Sequence, residues 1–400
     1  MLEFEQAQAQ LLEAAGPVAE TELLPLARLA GRVLAESVCA TLDLPPADNS
    51  EMDGYAVRHA DLAAGKPLPI QQRVYAGDAP QPALPGQATR LFTGSLIPPG
   101  ADTVIMQENT RETDGQVEIT GEARLGQHVR KRAEDTQAGQ IVLEAGIVLG
   151  AAHIALLASQ GLAQARVFRR VRVGVLTTGD ELVAPGQTRT EAQIYNSNAP
   201  MLASLVEGIG ADVVHVLHAR DDEADTREAL QTLLRDCDLV LSTGGVSVGE
   251  RDLVKPALEA LGGTLTLWKV RMKPGKPVAL AHVDGKPVVS LPGNPVSSFA
   301  VFMVLVSPLV RRMQGRAVTL PQVSRAVLRL PAPRTESREE FVRVQRRETD
   351  TGAELELYRT QASNIVSSLP WSTGLARLPA GQTLNDGDVV RYYDLAHWLS

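Results

Sequence analysis

Residues 171–312 alternate short apolar runs with longer amphipathic ones, and nothing else in the chain restricts its fold as much. The runs at 171–176, 213–217, 239–241, 264–267, 278–281 and 288–291 are brief and rich in Val and Leu, as buried strands are. The stretches at 198–209, 223–234, 254–261 and 297–312 carry apolar residues at helical spacing. Asn198 reads as an N-cap with Pro200 in the first turn, and Gly210 as the stop. Asp284-Gly285 predicts a hairpin turn. Strands alternating with helices specify a mainly parallel sheet covered on both faces. Ligands of such sheets bind beyond the carboxyl ends of the strands. The loops Thr177-Thr-Gly-Asp-Glu181, Asp221-Asp222, 242–252, 273–276 and 292–298 therefore line one rim.

The chemistry of that rim is mixed. Ser242, Thr243, Gly244, Gly245, Ser247 and Gly249 offer hydroxyls and backbone N–H groups, which suit phosphate. The loop Pro292, Gly293, Asn294 leads to Ser297 and Ser298 at a helix start, which also favours an anion. Lys273 and Lys276 add positive charge. Asp180, Glu181, Asp221, Asp222 and Asp252 oppose them, and carboxylates beside a phosphate call for a bridging cation such as Mg2+. Each loop alone is equally well an ordinary turn; their convergence on one rim is what points to a site. No dinucleotide-binding G-x-G-x-x-G or P-loop pattern is present. His215 and His218 lack a third ligand nearby and read as structural.

A chain of 400 residues should form two to four domains. Residues 1–42 and 136–168 read as a discontinuous segment, helical from Phe4 to Leu12 and again over 26–35. Residues 43–135 read as an inserted β-rich module, 169–318 as the α/β domain, and 319–400 as a small β-barrel or sandwich. In the module, Asp48, Asn49 and Asp53 crowd a turn where Asp53-Gly54 precedes a strand; on composition alone a plain polar turn is the better reading. Net charge is −8, which argues against nucleic acid as a partner. Two cysteines, Cys39 and Cys237, make no disulfide framework. No signal peptide is evident, and the longest apolar run, 299–310, is interrupted by Ser307-Pro308. A cytoplasmic protein without membrane association is the expectation.

One ordered set of motifs carries a family resemblance over nearly the full length. It comprises Asp48-Asn-Ser-Glu-Met-Asp-Gly-Tyr-Ala-Val57, Thr93-Gly-Ser-Leu-Ile-Pro98, Ala101-Asp-Thr-Val-Ile-Met-Gln-Glu108 and Arg132-Ala-Glu-Asp135. It continues with Thr178-Gly-Asp-Glu-Leu182, Gln193-Ile-Tyr-Asn-Ser-Asn198, Ser242-Thr-Gly-Gly-Val-Ser-Val-Gly249 with Asp252, Lys273-Pro-Gly-Lys-Pro277 and Leu291-Pro-Gly-Asn-Pro-Val-Ser297. The chain resembles the molybdopterin molybdenumtransferase family, which includes MoeA and the gephyrin E domain. Where that family has Gly, this chain has Ala133, Ala192 and Ala362.

The resemblance implies insertion of molybdenum from molybdate into adenylylated molybdopterin, with Mg2+ as cofactor and AMP released. It implies a MogA-like molybdopterin-binding α/β domain within a four-part subunit, and a homodimer whose site is completed between subunits. It implies that Glu181, Asp221 or Asp222, and Asp252 handle Mg2+ and the pterin end. Asp53 with Thr93 would face the dithiolene and molybdate, and Lys269, Lys273 and Lys276 the phosphates and oxyanion. An upstream molybdopterin adenylyltransferase and downstream molybdoenzymes are the implied protein partners. Two other readings compete: a silent molybdopterin carrier or scaffold, and a sugar or nucleotide enzyme sharing only the α/β module.

Overall fold

The computed structural model describes residues 1–244, 253–350 and 352–400. Two compact units form, one from Met1–Glu36, Ala145–Ile154 and Gln164–Ser400, the other from Ser37–Glu144 and Ala155–Ala163.

The first unit contains a six-stranded sheet in the order Asp212–Ala219, Arg172–Thr178, Leu239–Thr243, Lys286–Leu291, Ala279–Val283, Thr264–Trp268. The first four strands run parallel, and the last two add an antiparallel edge. The expected hairpin turn forms, with Asp284 (φ 50°) and Gly285 (φ 77°) both left-handed, as a two-residue type I′ turn requires. Helices Asn198–Gly208, Glu223–Asp236 and Val254–Ala260 cross over the sheet.

The apolar stretch near residue 300 is longer than expected. Pro295–Met313 is continuously helical over 19 residues, long and apolar enough to cross a membrane, yet 89% of that stretch is buried in the fold. Pro308 does not end it. The preceding turn loosens into a π-helical segment, Phe302–Val306, and the Ser307 hydroxyl donates to the Met303 carbonyl at 2.7 Å. A wider turn accommodates a ring that would otherwise meet the carbonyl four residues back. This helix shares one core with Val173, Val175, Leu239 and Leu241 of the sheet, with Phe4, Ala7 and Leu11 of helix Phe4–Glu13, and with Phe341, Leu375 and Tyr393.

Residues 26–35 are not a helix. Only a single turn, Leu26–Arg28, forms. Gly31 then takes φ 73°, and the N–H groups of Gly31, Leu34 and Ala35 donate to Leu149, Ile147 and Arg166 carbonyls. Leu29, Val33 and Leu34 are buried as expected, but Leu29 from the end of that single turn and Val33 and Leu34 from isolated β-bridges.

The C-terminal strands, from Ser324 to Asp394, close into a barrel. Strand Glu339–Thr349 pairs with Gly352–Leu357, which pairs in turn with Ser324–Arg329, Val389–Asp394 and Gly374–Leu378, and the last returns to Glu339–Thr349. Closure removes exposed edges.

The second unit holds a six-stranded sheet, ordered Thr103–Met106, Gly54–Val57, Ala88–Leu91, Leu68–Val74, Gln116–Ile119, Thr110–Thr113. Gly54 opens a strand rather than bending a turn. A Cβ there would lie 2.0 Å from the Ile105 carbonyl oxygen, so glycine is needed for close strand approach.

Candidate functional site

The α/β sheet reverses its strand order between Arg172–Thr178 and Leu239–Thr243, since the chain leaves the first strand to one side and then returns to the other. Ligands bind at such switch points. Here the two loops nearly touch. Gly244 has φ 86°, and a Cβ on it would stand 2.7 Å from Thr178 Oγ1 and 3.0 Å from the Thr178 carbonyl oxygen. Gly245, Ser247 and Asp252 lie outside the described residues.

Asparagines fix the crevice walls. Asn196 Nδ2 donates to Thr177 Oγ1 at 2.8 Å, while Asn196 Oδ1 accepts the Ala199 N–H at 3.1 Å. The side chain capping helix Asn198–Gly208 is thus Asn196, not Asn198 as the sequence suggested. Asn198 is the first helical residue. Its Nδ2 reaches the Gly293 carbonyl at 2.7 Å and approaches Thr243 Oγ1 at 3.5 Å. It ties the loops after two strands together, a role that only the order of the Gln193-Ile-Tyr-Asn-Ser-Asn198 block could have hinted at.

Two predicted ligand-binding hydroxyls are used within the fold. Ser242 is fully buried and its Oγ donates to Ser290 Oγ at 2.7 Å. Ser298, also fully buried, donates to the Pro292 carbonyl. Thr243 and Ser297 are buried as well. Gly293 and Asn294 are exposed at the rim, and Asn294 Nδ2 donates to Ser363 Oγ of the barrel region at 3.2 Å. Beside them opens an apolar cavity of about 440 Å³ lined by Ser197, Met201, Pro295, Phe299, Val366 and Leu369. A separate cavity of about 590 Å³ lies at the other end of helix Asn198–Gly208, beside Arg311 and Arg316. Those guanidiniums donate to carbonyls of Ile209, His397, Trp398 and Ser400, which marks a structural junction.

The acidic residues are partly engaged. Asp180 Oδ1 accepts the Asp221 N–H at 3.2 Å. Asp222 caps helix Glu223–Asp236 by accepting the Asp225 N–H at 3.0 Å. The Glu181 carboxylate folds over Gly179, where a Cβ would stand 2.3 Å from Glu181 Oε2. Among the described residues no three His, Cys, Asp or Glu side chains gather as a metal cage. This donor set fits a Mg2+ that takes one or two carboxylates and draws its remaining ligands from phosphate and water. His215 pairs with Asp236 at 2.9 Å and His218 approaches Thr177 Oγ1 at 3.3 Å, both structural as expected.

The lysine loop 269–276 follows edge strand Thr264–Trp268, across the sheet from the other edge strand Asp212–Ala219. Lys269 has φ 68°. Met272–Lys273 adds a short parallel strand to Glu339–Thr349 of the barrel. Lys273 Nζ contacts Glu336 Oε1 and stands 3.2 Å from Glu340 Oε1. Glu340 is 2% exposed and accepts from Arg334 Nε at 2.7 Å and Nη2 at 2.6 Å. Sequence reading missed this tetrad because Lys273 lies 63 residues before Glu336, although Arg334, Glu336 and Glu340 are near neighbours in the chain.

In the second unit, Asp53 and Thr93 meet as expected. Asp53 Oδ1 accepts both the Thr93 N–H and the Thr93 hydroxyl at 2.8 Å. These bonds, with the Arg90 charge, hold the Asp53 carboxyl below the usual range. Arg90, 8% exposed, braces the loop by donating to the Gly54 carbonyl at 3.1 Å and to Gln107 Oε1 at 2.7 Å. Arg132 Nε donates to Asp43 Oδ2 at 2.6 Å, and its N–H to Asp48 Oδ1 at 2.9 Å. The Arg132–Asp135 block is therefore a local brace.

Comparison with known proteins matches three regions in order. Residues 2–161 match the MoeA N-terminal region (domain I and II), 174–312 a probable molybdopterin binding domain, and 325–395 the MoeA C-terminal region (domain IV). A molybdopterin molybdenumtransferase of Haemophilus influenzae is 39% identical over 318 residues, 79% of this chain and 78% of its own. One from Nostoc sp. is 40% identical over 307 residues, 74% of this chain and 70% of its own. A crystal structure of the molybdopterin biosynthesis MoeA protein of Pyrococcus horikoshii OT3 superposes with TM-score 0.84 at 28% identity, covering 98% of this chain and all of the other. With its three matched regions in one order and a sheet, barrel and β module to fill them, the chain belongs to the MoeA family of molybdopterin molybdenumtransferases.

Proposed function

We propose that this protein inserts molybdenum from molybdate into adenylylated molybdopterin, releasing AMP and yielding molybdenum cofactor. The observation carrying this is the switch-point crevice, where Gly244 packs against Thr178 in the molybdopterin-binding domain. A crevice whose wall at Gly244 has no room for a side chain suits close approach of a flat, phosphorylated substrate to the backbone. Gly293 and Asn294 supply further backbone and amide groups, and Lys269 and Lys276 positive charge for phosphate and oxyanion, while the Lys273 ammonium is engaged by Glu336 and Glu340. Cleavage of a phosphoanhydride depends mainly on positioning and charge neutralisation. Glu181, Asp221, Asp222 and Asp252 would hold Mg2+, which when bound neutralises phosphate charge. Asp53, kept ionised by Thr93, orients the dithiolene end.

The reading extends to a four-part subunit, cut at 1–42 with 136–168, 43–135, 169–318 and 319–400. It also extends to a cytoplasmic homodimer in which Asp53 and Thr93 of one subunit serve the rim of the other. A variant panel tests the assignments. Lys276→Ala should raise the KM for adenylylated molybdopterin and slow AMP release. Asp53→Ala should leave substrate binding intact and stop metal insertion. Equal activity in either variant would remove that residue from the site.

A further inference from the structure

The Asp53–Thr93 loop is flanked by a run of ring contacts that its assigned chemistry does not use. Tyr75 lies flat on Phe92, with ring centroids 4.7 Å apart and planes within 7°. The Arg90 guanidinium stands 4.8 Å from the Phe92 centroid and 5.0 Å from that of Tyr55. Phe92 precedes Thr93 directly. The Tyr75 segment backs the same loop: Ser95 Oγ donates to the Val74 carbonyl at 2.9 Å, and a Cβ on Gly94 would meet Ala76 Cβ at 4.0 Å.

Tyr75 is held ready rather than loose. Its N–H donates to Asp78 Oδ2 at 3.1 Å, and the Asp78 N–H returns to the Tyr75 carbonyl at 3.0 Å. With one ring face covered by Phe92, Tyr75 still keeps 55% of its surface exposed, so the other face is open. A large apolar ring held rigidly open to water costs solvation unless something covers it. Its stiffness means that little entropy is lost when something does.

We infer that the open face of Tyr75 is a stacking platform for a planar heteroaromatic ring of the substrate, beside the Asp53–Thr93 loop. This rests on the function proposed above. That substrate has two such rings, adenine and pterin, and both present the same flat π-face. Stacking on an aromatic side chain tolerates either, since it reads the face and not the edge.

The test uses the full-length protein with AMP and, separately, 6-hydroxymethylpterin as probes, in equilibrium titrations of the wild type and of Tyr75→Leu, Tyr75→Phe and Tyr75→Trp. Leu keeps apolar bulk against Phe92 but has no π-face, so folding is preserved and checked by near-UV circular dichroism. Tyr75→Leu should weaken one probe about tenfold while Phe and Trp hold near wild-type affinity. The probe that weakens names the ring. Equal affinity of Tyr75→Leu and wild type for both probes overturns the inference. Loss of AMP release by the wild type with adenylylated molybdopterin would instead overturn the underlying function, and the two failures are read in separate assays.

Discussion

Replacing Glu340 with Gln should cost about 3 kcal/mol of stability, far more than an ordinary ion pair, and the reason is the company it keeps. Glu340 is 2% exposed, with two bonds from Arg334 and Lys273 at 3.2 Å. Gln keeps the shape and one acceptor but removes the charge. Arg334 and Lys273 would then share only Glu336, and Arg334 stands 3.9 Å from it. An exposed pair contributes about 0–1 kcal/mol because water replaces the lost partner. Water does not reach Glu340 but does reach Arg334 and Lys273, 27% and 32% exposed, so part of the loss is repaid and the cost falls at the low end for a buried partner. A double variant, Arg334→Met with Glu340→Leu, should recover most of the loss, because no buried charge is then stranded. Urea unfolding followed by Trp371 and Trp398 fluorescence reads both variants. A Glu340→Gln cost below about 1 kcal/mol, at unchanged m-value, would refute the account of this tetrad as a buried network.

Ala133 sits at φ 60°, a conformation costing an L-residue about 1–2 kcal/mol, of which glycine's greater unfolded freedom returns about 0.4–1. Ala133→Gly should therefore stabilise residues 37–144 by about 0.5–1 kcal/mol, read by thermal unfolding. Gly244→Ala should destabilise by about 2 kcal/mol and abolish molybdopterin binding, since the methyl would sit against Thr178; calorimetric titration checks it. Asp43, Asp48 and Asp53 all have carboxyls held below the ordinary 3.8, chiefly by bonds from the Ala138 N–H, the Lys131 ammonium and the Thr93 N–H respectively. The folded state thus binds protons less tightly than the unfolded one. Their contribution is complete above the unfolded value and is lost as pH falls through the folded values. Hydrogen exchange in 37–144 should accelerate as pH drops below 3.8 beyond its intrinsic dependence, and less so in the triple Asn variant. Mixing Asp53→Ala and Lys276→Ala proteins should restore about a quarter of wild-type molybdenum cofactor formation at limiting substrate if a homodimer shares its sites, since half the dimers are mixed with one intact site each.

The α/β domain was legible because its signals are local and repeated. Strand runs such as Val171-Arg-Val-Gly-Val-Leu176 end in small-residue loops, and sheet topology alone turns those loops into a rim. The Asp284-Gly285 turn was readable from two residues. What failed was local patterning overruled by partners far along the chain. Leu29, Val33 and Leu34 look helical, but the carbonyls of Leu149, Ile147 and Arg166 claim the N–H groups of Gly31, Leu34 and Ala35. Asn198 looks like a cap, but Gly293 claims its amide. Strand Gly374–Leu378 escaped notice because Arg377 breaks the apolar run; Glu5 and Glu339, with the Phe4 ring 4.7 Å from the guanidinium, make that arginine acceptable inside.

Of the site, residue types and loops were readable, but not which atoms are free. Ser242 and Ser298 look like ligand donors until their hydroxyls are found bonded to Ser290 and Pro292. Asp53 and Thr93 were paired from the resemblance, 40 residues apart, and the geometry confirms that contact within one unit. Tyr75 carried no signal, because an isolated aromatic in a turn has no period to betray it.

The most direct test is a time course with purified protein, adenylylated molybdopterin, molybdate and Mg2+, following AMP and molybdenum cofactor together. The account predicts one AMP released for each cofactor formed, with both dependent on Lys276 and Asp53. Tight molybdopterin binding with no AMP released would contradict it and leave a carrier in place of an enzyme.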